Sequence, residues 1–409
     1  MTEPVYSSAT RTRRPSRRQR RAMNRLGLLI LLVAVLLAFS WYQYKRGTQP
    51  AKPTEPFVAA AQGDTITISA GGDINISDAL LESARQSDGT YDFSSMLVGV
   101  APLLGKSDLT IVNAETNFCG APYDAANHKA PEALLEALRK AGVDLIQTSN
   151  TMSIYNGING LQSTLDAVKQ AGLTPVGTFA SKEDWQEQKG FTMVEAQGFR
   201  VAFVSFTKGV GNLSLPEGCE SSVNLLYKDY NTTYQEVNRE GIQKILELVQ
   251  GEHPDITIAL LHWGSEYDDE ISKTQKEIET LMLEGGVDAI IGTHPHLVGA
   301  VKQENTALTA YSIGNLLSVD SNPGTNQGII LNLEFTKGAD GTVLTDWSYD
   351  PIYLASGTET ATGNYELLDT KKEIAVYETD YLYRVKEELY QSLKKSIDQI
   401  KTLTILKEE

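Results

Sequence analysis

From residue 65 onward, short apolar runs of strand length alternate with longer stretches in which apolar residues return every three or four positions. The runs at 65–70, 109–113, 145–148, 200–205, 256–261 and 289–291 are rich in Val, Ile, Leu, Ala and Thr with almost no charge, which predicts strands buried on both faces. Between them, 131–141, 160–171, 239–250 and 273–284 carry helical periodicity, several opening on Pro or polar residues and closing in Ala-Gly or Gly-Gly. Such alternation predicts an α/β fold with buried sheets.

The later part changes character. Segments 307–312, 328–336 and 343–349 read as strands with turn signals such as Gly338-Ala339-Asp340-Gly341 between them, which predicts antiparallel pairing. Beyond Gly363, Ile374, Tyr377, Tyr381, Val385, Leu389, Leu393, Ile397 and Ile400 recur at three and four residues. That stripe predicts a C-terminal amphipathic helix docked on the domain.

At the other end, Arg11, Arg13, Arg14, Arg17, Arg18, Arg20, Arg21 and Arg25 precede an uncharged stretch at 26–44, with Lys45 and Arg46 beyond it. At about 1.5 Å per residue this stretch comes near the roughly 30 Å of a bilayer core, and Trp41, Tyr42 and Tyr44 suit the far interface. A cleaved signal peptide is the alternative, but Ala38-Phe39-Ser40-Trp41 offers no good small-residue cleavage site. The expectation is a single-pass protein of the cell membrane: a basic cytoplasmic tail (1–25), a transmembrane signal anchor (26–44), a linker rich in Pro, Ala and Thr (45–63), an extracytoplasmic main domain (64–355) and a C-terminal helical extension (356–409).

Composition sharpens this division. The chain has 409 residues, 41% of them hydrophobic, enough to bury a large core. Its formal charge of -16 conceals two opposite parts: residues 1–50 hold ten Lys or Arg against Glu3, leaving 26 basic against 51 acidic residues beyond, a net of -25. An acidic body of this kind argues against nucleic acid as a partner, because binding there rests on neutralising phosphates. Cys119 and Cys219 are the only cysteines; outside the cytoplasm they could join in a disulfide or remain free, and their spacing suggests no zinc site.

Candidate chemistry gathers where strands end. Three of the five histidines stand in two motifs, His262-Trp263-Gly264-Ser265-Glu266-Tyr267 after the run at 256–261 and Gly292-Thr293-His294-Pro295-His296 after that at 289–291. Earlier predicted strands end in Gly71-Gly72-Asp73, Asn113-Ala114-Glu115 and Ser149-Asn150. Ligands of open α/β sheets collect at such ends, and a mixed set of carboxylate, amide and imidazole donors suits one or two divalent ions, Mn, Fe or Zn. No Gly-x-Ser-x-Gly turn offers a serine nucleophile.

Taken in order with Tyr311-Ser312-Ile313-Gly314-Asn315, these motifs resemble the CapA family of poly-gamma-glutamate capsule synthesis, within the metallo-dependent phosphatase superfamily, over roughly 65–353. The resemblance implies a four-layer α/β/β/α sandwich with metal ligands at Asp73, Glu115, Asn150, His262, His294 and His296. It marks Asn150 and Glu266 as catalytic residues, the latter as the acid after the Trp-Gly pair. Its implied partners are an anionic envelope polymer or the complex that makes it.

Several positions depart from the family pattern. Where the pattern reads Ala-Asn-Asn-His, two residues, then Asp-Tyr-Gly, this chain reads Ser149-Asn150-Thr151-Met152, then Tyr155-Asn156-Gly157. The resemblance implies that the missing histidine protonates a leaving group or stabilises phosphoryl charge, and the thioether of Met152 does neither. Asn75 stands where the wider superfamily has a histidine ligand, and His128 is a second source of imidazole, or else a solvated loop residue. Two functions follow as expectations: metal-dependent hydrolysis or group transfer, or a catalytically degenerate binding and scaffolding component of the envelope.

Overall fold

The computed structural model describes residues 65–339, 341–380 and 385–404. The predicted tail, anchor and linker, and Tyr381 of the C-terminal stripe, lie outside that range. Among the described residues no helix is long and apolar enough to cross a membrane.

In chain order the elements are β1 (Thr65–Asn75), α1 (Asp78–Ala84), α2 (Ser94–Leu97), α3 (Ala101–Leu104), β2 (Leu109–Ala114), α4 (Ala133–Ala141), β3 (Leu145–Gln147), α5 (Gly157–Gln170), β4 (Thr174–Val176), α6 (Lys182–Gln188), β5 (Thr192–Ala196) and β6 (Phe199–Thr207). They continue with α7 (Arg239–Gln250), β7 (Ile256–His262), α8 (Lys273–Glu284), β8 (Ala289–Thr293), β9 (Val301–Glu304), β10 (Ala307–Ala310), β11 (Asn315–Ser318), β12 (Gln327–Gly338), β13 (Gly341–Ala355), β14 (Glu366–Asp369), α9 (Thr370–Thr379) and α10 (Glu387–Thr404).

Two mixed sheets result. One runs β14-β13-β12-β1-β2-β3-β4 with β11 also on β1, and the other runs β5-β6-β7-β8-β10-β9. Their centres are parallel, β1 to β4 in the first and β6, β7, β8 and β10 in the second, with antiparallel strands at the flanks.

Alternation along each strand fixes which core a side chain enters. In β6, Val201 and Phe203 join Ile66, Ile68 and Ile111 of the first sheet in one core between the sheets, while Ala202 and Val204 face the other way. That outer face carries Ile242, Leu246 and Val249 of α7 and Ile278 and Met282 of α8. On the first sheet, Val112 and Ile146 meet Leu80, Leu97, Leu104, Leu134 and Leu138 of the helices. Both sheets are thus covered on both faces, which is why their central strands are nearly free of charged residues.

The predicted helices match closely, and local chemistry explains their ends. A capping box of Ser272 and Gln275 opens α8, and Asn238 caps α7 by accepting from Gly241 N–H. α4 closes on Gly142, whose φ of 106° only glycine adopts without strain. Other boundaries depart from expectation. β1 runs on past residue 70 because its end pairs with β11, Asp73 opposite Asn315. β12 and β13 pair antiparallel as expected, but β10 joins β8 in parallel and takes β9 on its other edge. The C-terminal stripe forms two helices, α9 ending at its C-cap Asp380. From α10, Leu389 and Leu393 pack on Tyr353, Ala355 and Leu368, and Ile400 reaches the core between the sheets. Cys119 and Cys219 are free thiols, both half-buried.

Candidate metal centre

The parallel strands of both sheets present their C-terminal ends to one edge of the domain. Register aligns them: Asp73 pairs with Asn113 and Ile74 with Ala114 in the first sheet, and Thr207, His262 and Thr293 lie abreast in the second. The sequence-predicted residues at those ends therefore converge. Asp73, Glu115, Asn150, His262, His294 and His296 are all buried.

Five of them form a tight cluster. The ligand atoms of Asp73, Glu115 and His262 lie within 4.8 Å of one another, as do those of Glu115, His294 and His296. Glu115 belongs to both groups: its Oε1 is 2.7 Å from His262 Nε2 and its Oε2 is 3.5 Å from His296 Nε2. Asp73 Oδ2 accepts the backbone N–H of His294 at 3.0 Å and lies 3.3 Å from His296 Nδ1.

Neighbouring polar groups fix the orientation of these ligands. Asn315 donates through Nδ2 to the carbonyl of Thr325 at 2.8 Å, which turns its Oδ1 to His296 Nδ1 at 2.9 Å. A proton held on Nδ1 leaves Nε2 as the coordinating nitrogen of the neutral ring. His262 Nδ1 is held 3.0 Å from the Thr293 hydroxyl, and Asn113 Nδ2 donates to Asp73 Oδ1 at 2.6 Å. The His294 and His296 turn is strained as well, with φ values of 96° and 58° at these two residues.

Charge in the cluster is unevenly settled. Burial opposes ionisation of Glu115, but the adjacent His262 and His296 outweigh it and hold the carboxyl at about 2. Burial likewise opposes protonation of His296, yet Glu115 and Asp73 push its pKa up to about 10. His294 goes the other way: burial, reinforced by the charges of His262 and Lys208, takes it well below its ordinary value. It is thus a neutral imidazole, and its Nδ1 is buried without a hydrogen-bond partner among the described residues. An orphaned nitrogen of that kind beside two carboxylates and two more imidazoles is the donor set a divalent cation satisfies.

The remaining predicted residues lie differently. Asn150 is turned toward the backbone, its Nδ2 donating to Asn113 Oδ1 and to the carbonyl of Ala114, its Oδ1 accepting from Met152 N–H. The next residue reaches the cluster: the Thr151 hydroxyl donates to Glu115 Oε1 at 3.3 Å and lies 3.3 Å from His262 Nε2. Glu266 stands exposed on the loop leaving β7, where its charge acts on Lys208 and Tyr267. Asn75 ends β1 opposite Ser318. Thr151, Asn113, Thr293 and Asn315 stand inside the sequence motifs, but the motifs gave them no role; their contacts with the cluster appear only in the fold.

The family is decided by a match along most of this framework. The sequence model described as "Bacterial capsule synthesis protein PGA_cap" matches residues 67–320. The chain belongs to this capsule synthesis family. Capsule biosynthesis protein CapA of Bacillus anthracis is 25% identical over 303 residues, 71% of this chain and 67% of that protein. PGA biosynthesis protein CapA of Bacillus subtilis (strain 168) is 22% identical over 317 residues, 76% of each. Among solved structures, the calcineurin-like phosphoesterase YfkN from Bacillus subtilis superposes with a TM-score of 0.41 at 13% identity, over 83% of this chain and 97% of that one.

Within the CapA family, the departures noted in the sequence cluster at one place. Met152 is half-buried and held by its backbone, donating to Asn150 and accepting from Asn117 Nδ2. Tyr155 is 43% exposed and donates its hydroxyl to the carbonyl of Ala126. Its ring meets that of His128 edge-on at 4.6 Å. His128 is partly buried, with burial depressing its pKa against the pull of Glu115.

Proposed function

We propose that this chain is a membrane-anchored, extracytoplasmic CapA-like protein whose buried cluster holds one or two divalent ions, Mn, Fe or Zn, for hydrolysis or group transfer on an anionic envelope polymer, poly-gamma-glutamate. One observation carries the reading: two candidate ligand groups overlap on the single carboxylate of Glu115, and in one of them the buried His294 Nδ1 has no hydrogen-bond partner among the described residues. The succession of helices, sheet, sheet and helices supports a sandwich of the metallo-dependent phosphatase type. The arginine-flanked apolar stretch at 26–44 supports anchoring, and the relatives' names support the polymer.

Asp73, Glu115 and His262 would hold one ion, and Glu115, His294 and His296 a second. A bound ion polarises a phosphoryl or acyl oxygen and lowers the pKa of bound water toward neutrality. The chain's own residues do the positioning. Asn315 sets the His296 tautomer, Thr293 aims His262, Asn113 aligns Asp73, and burial limits bulk water to the His294 and His296 side of the cluster. Asn150 acts by holding the turn that brings Thr151 to Glu115, and Glu266 is the acid open to solvent on the loop beyond. Positive ions at this edge would offset the repulsion between an acidic domain and an anionic polymer.

Because His296 titrates at about 10 in the metal-free chain, it is protonated at neutral pH and must lose that proton to coordinate. Uptake of Mn is therefore expected to release about one proton per ion bound through His296. Calorimetry in two buffers of different ionisation enthalpy checks this; identical heats in both would contradict it.

Met152 and Tyr155 favour a second reading, a binding or scaffolding role without catalysis. The full chain loaded with Mn decides between the two, using a chromogenic phosphoester and a gamma-glutamyl anilide. The first reading expects slow turnover abolished by chelator, and Met152→His is expected to raise it by about 10² to 10⁴, the range of general acid catalysis. No turnover in either protein, with metal bound, leaves the scaffolding role.

A further inference from the structure

Lys208 follows the last residue of β6 and stands beside the ligand cluster without belonging to it. Its backbone N–H donates to the carbonyl of His262 at 2.8 Å, so the β6 and β7 ladder carries it to the same edge as the histidines. The ammonium donates to the carbonyl of Gly264 at 2.6 Å and lies 4.6 Å over the ring of Tyr234. Both partners are neutral. The carboxylate that acts on it does so through space, from the exposed Glu266.

The loop that carries Lys208 is held on both sides. A Cβ at Gly209 would fall 2.4 Å from the carbonyl oxygen of Tyr230 and 3.0 Å from the Tyr234 ring, so this backbone lies hard against the segment presenting Tyr234. Farther on, Gly211 packs against the carbonyl of Thr151, whose hydroxyl reaches Glu115. The segment 208–211 thereby runs from the His262 carbonyl to the Thr151 turn, with Lys208 at its His262 end. Its charge is felt by the His294 ring.

Among the described residues this half-buried ammonium meets a carbonyl and an aromatic face, which leaves two of its three N–H donors open. Beyond residue 50 acidic residues outnumber basic ones 51 to 26, yet the charge acting on this ammonium is the exposed Glu266. An incoming oxyanion completes its coordination and offsets the cost of burying the charge.

We infer that Lys208 is an oxyanion-binding residue, receiving a phosphoryl or carboxylate oxygen of the substrate at the rim of the ligand cluster. This deepens the proposed function and rests on that reading of where substrate binds. It does not rest on which ion is held.

The test titrates the full chain, metal-free and Mn-loaded, with inorganic phosphate and separately with a gamma-glutamyl oligomer, alongside Lys208→Met and Lys208→Gln. Metal content and melting temperature are measured in parallel. Glutamine keeps a donor for Gly264 and removes only the charge, so it remains informative if methionine disturbs folding. Affinity for at least one probe is expected to fall about ten- to a hundredfold in a folded variant, the weight of a hydrogen bond to a charged group. A fall with phosphate alone assigns the phosphoryl group, and a fall with the oligomer alone assigns the carboxylate. Unchanged affinities in folded variants, or no binding of either probe to the unsubstituted chain, would overturn the inference. Absence of metal from the unsubstituted chain contradicts the metal reading alone, and the metal-free titration then decides for Lys208.

Discussion

Gly72→Ala is expected to lower stability by about 4 kcal/mol, at the upper end of single-substitution effects. A Cβ at residue 72 would stand 1.8 Å from the carbonyl oxygen of Gly314 and 2.7 Å from its carbon, both backbone atoms that cannot turn aside. The approach is close because Asp73 N–H donates to that same carbonyl at 3.0 Å and Asp73 pairs with Asn315. Moving the two strands apart would displace Asp73 and the Asn315 amide that orients His296 together. Gly71→Ala is the control: its Cβ would meet only the side chains of Val112 at 3.2 Å and Leu316 at 3.4 Å, which can adjust, at about 1 kcal/mol. Denaturant unfolding of the three proteins checks the difference. Equal losses at both glycines would contradict the role given to the contact between β1 and Gly314.

Glu115→Gln is expected to weaken divalent-ion binding by at least a factor of about 100, since losses from groups that merely support a ligand already reach that size. The amide has nearly the carboxylate's shape, so the packing survives. Both ligand groups lose their shared carboxylate, one of whose oxygens becomes an amide NH2. In the metal-free protein the effect depends on pH in a definite way. The Glu115 carboxyl is held at about 2 in the fold against an ordinary 4.5, so its stabilisation is full above 4.5 and disappears as pH falls through 2. His296 is raised to about 10 from an ordinary 6.5, so its stabilisation is full below 6.5 and disappears as pH rises through 10. The stability gap between the native chain and Glu115→Gln should therefore be widest between about 4.5 and 6.5. A gap that does not vary with pH would contradict the coupling of the two groups.

How legible the centre was in sequence depended on how local its causes are. β7 is apolar from 256 to 261 except at Thr257 because Ile258 and Leu260 enter the core between the sheets while Ala259 and Leu261 meet the helices. That pattern is written in the run itself, and it places His262 at the strand end. α7 and α8 were equally legible through their caps and periodicity. Asp73 was expected as a ligand at a strand end, but its position within β1 depends on pairing with Asn315, a contact between segments far apart in the chain. β4, β9, β11 and β14 are three or four residues long, too short to carry a period.

The difference between Asn150 and Thr151 was set by the turn. Ser153 bonds the backbone of Asn150, and the Asn150 amide is engaged by Asn113 and Ala114, so the following side chain faces Glu115. A tight turn reverses which of two neighbours points inward, and composition carries no trace of that choice. Lys208 was hidden for a related reason. It follows a strand whose pattern ends at Thr207, and only the neighbouring strand's carbonyl and the ring of Tyr234 show what the residue faces.

The most direct measurement is the metal content of the purified protein, by elemental mass spectrometry after loading with Mn, Fe or Zn, beside Glu115→Gln and the His294→Ala, His296→Ala double variant. The account predicts one or two ions per chain in the unsubstituted protein and their loss in both variants with folding retained. No ion in the unsubstituted protein under any loading, or the same content in all three, would contradict it.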